Sequence, residues 1–410
     1  MADDFQFIRE TRKEKPLNRK RVLQHILETV VLAVIFGAVG CLTFVLLKPR
    51  IEQYFMPEEK TQISFTEPEQ LPEDDTENTD HQDDTKDEPE KVIIEKPATM
   101  DLAEYQALQN KMYAVGREAD KFIVSVTNVK NDTDIFNTPY ENKGIGSGVI
   151  IADTGEYLLI LTEKKTIQGA TSIRVTFVDD QTVKAELQQY DGNTGIAVLR
   201  VKTKDIDKDT REQIAGAVLG TSVGVSQGQM VLAVGSPIGT IHSILTGNIT
   251  SNRNSISTMD CNYTVFTTDM VGSANAGGAL INTDGEIIGF ILQDYNMQKE
   301  QTTLAAVSIS ELKGVIELLS NDKPVPYLGM RISTVTDEIS ETYQMPKGVY
   351  VREVALDSPA MEAGFQSGDV ITQINGVSIA AAEDYEKLIL TLSDEQVIHI
   401  TYERQGAEDY

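Results

Sequence analysis

The chain has 410 residues, room for two or three domains of about 100 to 200 residues each, and its hydrophobic content of 40% is that of a globular protein. A formal charge of −27 excludes a nucleic-acid partner gripped by Lys and Arg clusters and argues against a protein lying on anionic lipid. The two cysteines, Cys41 and Cys261, are too few for a disulfide framework, and each reads as a small hydrophobe.

The first predicted element is an apolar run from Val30 to Leu47 that contains no charge. At about 1.5 Å per residue it reaches roughly 27 Å, close to the hydrocarbon thickness of a bilayer. Arg9, Arg12, Lys13, Lys15, Arg19, Lys20 and Arg21 precede it and only Lys48 and Arg50 follow closely, so the positive-inside rule puts the N-terminus in the cytoplasm. The run is longer than a signal-peptide core and ends without a small-residue cleavage site. We therefore expect a cytoplasmic tail over 1–28, a single transmembrane helix over 29–47, and all later domains outside the cell membrane. Residues 48–98 turn acidic, with Glu73 to Asp80 at the centre. This segment buries too little apolar surface to offset its ordering entropy, which predicts a disordered linker. Its carboxylates lack the spacing and turn glycine of a calcium loop.

Helical spacing of Leu102, Tyr105, Leu108 and Met112 predicts a helix over 101–118, after which strands take over. Ile173, Val175 and Phe177 alternate with polar residues, Asp179-Asp-Gln181 supplies a turn, and Val183, Ala185 and Leu187 resume the alternation as a half-buried hairpin. Many short strands at regular spacing indicate an all-β sandwich or barrel over 99–320. A second module begins after Asn321-Asp-Lys-Pro324 and occupies 321–410. Within it the run Val397 to Tyr402 reads as a strand with His399 on its outward face. Neither module carries a metal-ligand cluster or a phosphate-cradling loop, so no metal and no cofactor is expected.

Thr268 to Asn282, with Asn275-Ala276-Gly277-Gly278 at its centre, resembles the nucleophile loop of the HtrA family of trypsin-like serine proteases. Gly144 to Ile151, Gly228 to Pro237, Leu245 to Thr250 and Asn282 to Gly289 resemble the same family. Ser358 to Gly376 is similar to the core of its PDZ domain. The resemblance implies a mainly β protein: a trypsin-like double β-barrel followed by a PDZ domain, here preceded by the transmembrane helix. It also places Ala276 on the nucleophilic serine, Lys165 on the general-base histidine within Leu161 to Ile167, and Gly195 on the orienting aspartate within Asp191 to Arg200. Acyl transfer needs all three roles filled, and a methyl group cannot attack a carbonyl.

No histidine stands ready as a substitute. The chain has four, His25, His81, His242 and His399, and only His242, expected on a plain surface loop, falls in the protease-like region. A Ser/Lys pair would need Ser273 to act with Lys165, three residues out of place. Asp269 precedes Ala276 by seven positions where the family pattern has eight. Ala274 also replaces the glycine whose amide would donate to the oxyanion.

Tyr327-Leu-Gly-Met330 resembles the carboxylate-binding loop of a PDZ domain, which receives an extended peptide as an added strand. The resemblance assigns the carboxylate to the amides of Leu328, Gly329 and Met330, and the opposite wall of the groove to a helix near Glu383–Leu392 carrying Tyr385 and Leu388. The expected function is that of a membrane-anchored pseudoprotease that binds polypeptide C-termini or a protein partner. Two alternatives stand beside it: a serine endopeptidase using atypical residues, and a structural subunit of the homo- or hetero-trimers the family forms.

Overall fold

The computed structural model describes residues 101–133, 139–296, 302–393 and 396–405, all within one compact unit that spans Ile63–Tyr410. The predicted tail, transmembrane helix and acidic linker lie outside the described residues, and among those described no helix is long and apolar enough to cross a membrane.

Helix α1, Leu102–Ala119, starts where Asp101 accepts from the amide of Glu104 and Glu104 reaches back to the amide of Asp101. This capping box satisfies two otherwise unpaired amides. Of the predicted apolar stripe only Met112 is buried; Leu102, Tyr105 and Leu108 are 82%, 50% and 38% exposed. The helix docks instead through its C-terminal half, where Gly116 lets it close on Ile244 and Leu232 of the second barrel.

Two six-stranded closed barrels follow. The first comprises β1 Ile123–Thr133, β2 Pro139–Asp153, β3 Tyr157–Glu163, β4 Ser172–Thr176, β5 Thr182–Tyr190 and β6 Ile196–Lys202, in the order β1-β2-β3-β6-β5-β4. The second comprises β7 Met230–Ser236, β8 Ser243–Ser257, β9 Asn262–Val271, β10 Gly277–Ile281, β11 Ile287–Leu292 and β12 Thr303–Ser308, in the order β10-β11-β12-β9-β8-β7. Closure removes free sheet edges. The predicted β4–β5 hairpin is present, with Val175 and Phe177 inside. Leu187, expected inside, is 39% exposed; it stands at the point where the β5–β6 register shifts, between Leu187 and Gln189. A bulge of this kind turns the following side chains to the other face.

Helix α2, Ile309–Ser320, closes the second barrel and joins a core shared by both barrels through Ile309, Leu312, Val315 and Ile316. The C-terminal module has a separate core built on Met330, Ile332, Val349, Val351, Ile371 and Ile374. Its five-stranded sheet runs β13 Met330–Thr334, β14 Val349–Val354, β15 Val370–Ile374 and β16 Val377–Ser378, with β17 Ile400–Glu403 pairing β15. Helix α3, Ala382–Leu390, packs on β13 and against α2, where Gly314 meets Leu390. The last strand begins later than the alternation predicts. Val397 is 81% exposed and His399 precedes the strand, its amide held by the Asn375 side chain.

Candidate functional site: the inter-barrel cleft and the PDZ loop

Strand β3 delivers Glu163 into the cleft between the barrels, and a single helical turn after it carries Lys165. The ammonium of Lys165 lies 2.7 Å from Glu163 Oε2 and 3.3 Å from Asp294 Oδ2. Burial pushes the Lys165 pKa down, but the two carboxylates outweigh it and hold the group above its ordinary range. Burial raises Glu163 to about 7 against the pull of the lysine. A lysine stabilised as a cation between two carboxylates cannot accept a proton from a nucleophile at neutral pH.

Ala276 is fully buried at the entrance to β10. Its amide, at the position where a serine protease aims a donor at the oxyanion, donates to the carbonyl of Ser273 at 3.0 Å. The neighbouring amide of Asn275 donates to Ser273 Oγ at 3.2 Å. The shortened loop thus folds its amides back upon itself, and Ser273 serves as the acceptor at the centre of that turn. Lys165 and Asn275 line the same cleft, yet Ser273 is engaged with its own loop and Lys165 with Glu163 and Asp294.

Gly195 has left-handed backbone angles, φ 77°, a region costly for residues with a side chain. It closes a turn nucleated by buried Asp191, whose carboxylate accepts from the amides of Asn193 and Thr194 and from the Thr194 hydroxyl. Lys165 shares the cleft with Asn275 and Gly277, next to Ala276, and the Gly195 carbonyl accepts from the Lys164 amide at 2.8 Å; the sequence does not reveal Glu163 and Asp294, the carboxylates that fix Lys165. His242 lies on an exposed loop, as expected, and its Nδ1 is 2.9 Å from Asp120 Oδ1. The bond to Asp120 raises its pKa despite burial, which pulls the other way.

In the PDZ module the amides of Leu328, Gly329 and Met330 converge on one point, as the resemblance implies. Gly329, at φ 87° and packed against Ser358, makes the turn that aligns them. The point is occupied by Asp260, from the tip of the β8–β9 hairpin. Its Oδ2 accepts from the Leu328 and Gly329 amides at 2.7 Å each, and its Oδ1 from the Met330 amide at 3.1 Å and the Tyr385 hydroxyl at 2.8 Å. The Asp260 amide in turn donates to the Met330 carbonyl at 2.6 Å. Asp260 is 6% exposed, and burial raises its pKa even though all four donors favour the charged form.

Tyr385 is fully buried on α3, and Leu388 packs against the PDZ core from the same helix. Two residues on from Asp260, the amide and side chain of Asn262 both donate to Glu386 Oε1, at 2.8 and 2.9 Å. Burial lifts Glu386 to about 7. No motif marks Asp260 or Glu386, whose partners lie more than a hundred or tens of positions away. An aspartate in a tight turn between polar strand ends is the only local signal, and turns commonly hold one.

Residues 146–290 match the trypsin-like peptidase domain family and residues 326–409 the PDZ domain family. A probable periplasmic serine endoprotease DegP-like of Halomonas elongata is 31% identical over 272 residues, covering 65% of this chain and 55% of the relative. The serine protease Do-like HtrB of Bacillus subtilis is 30% identical over 278 residues, covering 62% and 58%. The chain thus spans about half the length of the curated relatives it matches. Among solved structures, the HtrA-type protease AlgW with decapeptide superposes with a TM-score of 0.52 at 24% identity, over 72% of this chain and 95% of that one, a likeness of fold. From two domains in this order and these relatives, the chain belongs to the HtrA-like family of serine protease homologues with a C-terminal PDZ domain.

Proposed function

We propose that the chain is a membrane-anchored pseudoprotease: a trypsin-like scaffold without catalysis whose PDZ domain takes polypeptide C-termini outside the cell membrane. The observation that carries the reading is the state of the cleft. A buried methyl stands at the nucleophile position, a doubly paired cation at the base position and a left-handed glycine at the orienting position. Loss of a full triad lowers turnover about a millionfold in a serine protease. Support for a carboxylate ligand comes from the four donors converging at the PDZ loop, since charge-assisted bonds are about twice as strong as neutral ones. An apolar cleft lined by Tyr327, Leu328, Met330, Phe365 and Leu392 adjoins them, suiting an apolar terminal residue. The anchor and the outward orientation rest on the Val30–Leu47 run and its basic flank.

Labelling the full chain with a fluorophosphonate probe beside a casein digestion tests the absence of catalysis. The proposal expects no adduct and no fragments. Labelling lost on Ser273→Ala would establish the rival reading, an endopeptidase with atypical residues.

A further inference from the structure

We propose that Asp260 is an internal stand-in for a peptide's terminal carboxylate, and that the β8–β9 hairpin tip holds the PDZ site shut until it withdraws. The inference rests on the reading of that site as a peptide receptor and adds how access to it is controlled. Three features of the contact set it apart from ordinary domain packing. First, the carboxylate takes the amides of Leu328, Gly329 and Met330 together, the same set a peptide terminus would need. Second, the Asp260 amide bonds the Met330 carbonyl, the ladder bond that an added strand would make with its last residue. Third, the side chain reaches the loop from an aspartate at φ 61°, a conformation available to Asp at a hairpin tip. A peptide and Asp260 therefore exclude one another.

The tip is braced from the relic cleft. The Asn193 amide nitrogen donates to the Met259 carbonyl and to Thr258 Oγ1, and its oxygen accepts from the Met259 amide. Asn193 sits two positions before Gly195, within the turn that in an active relative would carry the orienting aspartate. Its own carbonyl and that of Thr194 accept from the Tyr295 hydroxyl, one residue beyond the Asp294 that pairs with Lys165. A contiguous set of polar contacts thus runs from the vacated base position to the PDZ loop. On this reading the relic triad region supports a latch.

A site available in a fraction of molecules shows an affinity reduced by that fraction. The test uses the full chain in mild detergent and a pool of fluorescent decapeptides with free apolar C-termini, with amidated versions as controls. Wild type, Asp260→Ala, Asp260→Asn and Asn193→Ala are compared by fluorescence anisotropy, each checked for native thermal unfolding. We expect both Asp260 variants to bind free-carboxylate peptides about tenfold or more tightly than wild type, Asn193→Ala to fall between, and amidation to abolish the gain. Equal affinity of wild type and all variants for the same peptides would overturn the latch and leave the peptide receptor standing. Binding by none of them would overturn the receptor reading and the latch with it. If the Asp260 variants do not fold, Asn193→Ala decides alone: an affinity equal to that of wild type overturns the latch.

Discussion

Replacing Lys165→Met removes the one cation held against Glu163, whose side chain is 7% exposed. Breaking a buried ion pair from one side costs about 3–5 kcal/mol. Because Lys165 is itself 37% exposed, solvent screening discounts this range to about 2–3 kcal/mol at alkaline pH. At roughly 2–4 °C per kcal/mol for domains of this size, the midpoint should fall by about 5–10 °C. The loss should depend on pH in a definite direction. Glu163 already has a folded pKa of about 7 against an ordinary 4.5, and without the lysine it rises further. An acid whose folded pKa exceeds its unfolded value binds more protons in the native state. Native stability therefore falls as pH rises between the two values. The deficit of Lys165→Met should be small near pH 5.5, where Glu163 is protonated, and grow as pH rises past 7. Differential scanning fluorimetry of both proteins at pH 5.5, 7 and 8.5 measures it. A midpoint within 2 °C of wild type at every pH would refute the argument that Lys165 is committed to Glu163.

The remaining predictions concern the cleft, the interface and the helix. Ala276→Ser should stay inactive in casein digestion, since Lys165 is already paired and the amides of residues 275 and 276 point at Ser273. Gly195→Val should destabilise the chain by about 1–3 kcal/mol in thermal unfolding, because a β-branched side chain is forced into left-handed backbone. Glu386, lifted to about 7 by burial, with Glu383 and Glu311 adding to the shift, opposes closure when ionised. Raising pH from 6 to 8 should open the PDZ site, by at most about tenfold per pH unit for this one proton, and Glu386→Gln should flatten the peptide-affinity profile. His242, held charged by Asp120, contributes below its raised pKa and loses that contribution as pH climbs past it. His242→Ala should therefore cost about 0.5–1 kcal/mol near pH 6 and less at pH 8.5.

Part of what depends on local pattern was legible in the sequence, although the apolar stripe expected on α1 is exposed but for Met112. The β4–β5 alternation follows from neighbours within a few residues, and the resemblance singled out the loop at Tyr327–Met330, whose amides meet a carboxylate. What escaped depends on partners brought together by the fold. Lys165 meets Asp294 across 129 positions, His242 meets Asp120 across 122, and Asp260 meets the PDZ loop across 68 to 70. Period and turn chemistry constrain which face a residue shows, but not which distant group stands opposite. The two misplaced strand features have the same origin. The bulge after Leu187 and the late start of β17 are set by pairing with β6 and β15, and alternation within one strand does not encode either.

The central claim is that this chain captures polypeptide ends without cutting them. Incubating the Asp260→Ala full chain with free-carboxylate decapeptides, isolating the complex and weighing the eluted peptides by mass spectrometry tests both halves at once. The account predicts that peptides are retained and returned at their full mass. Retained peptides recovered as fragments would contradict the absence of catalysis, and no retention at all would contradict the receptor.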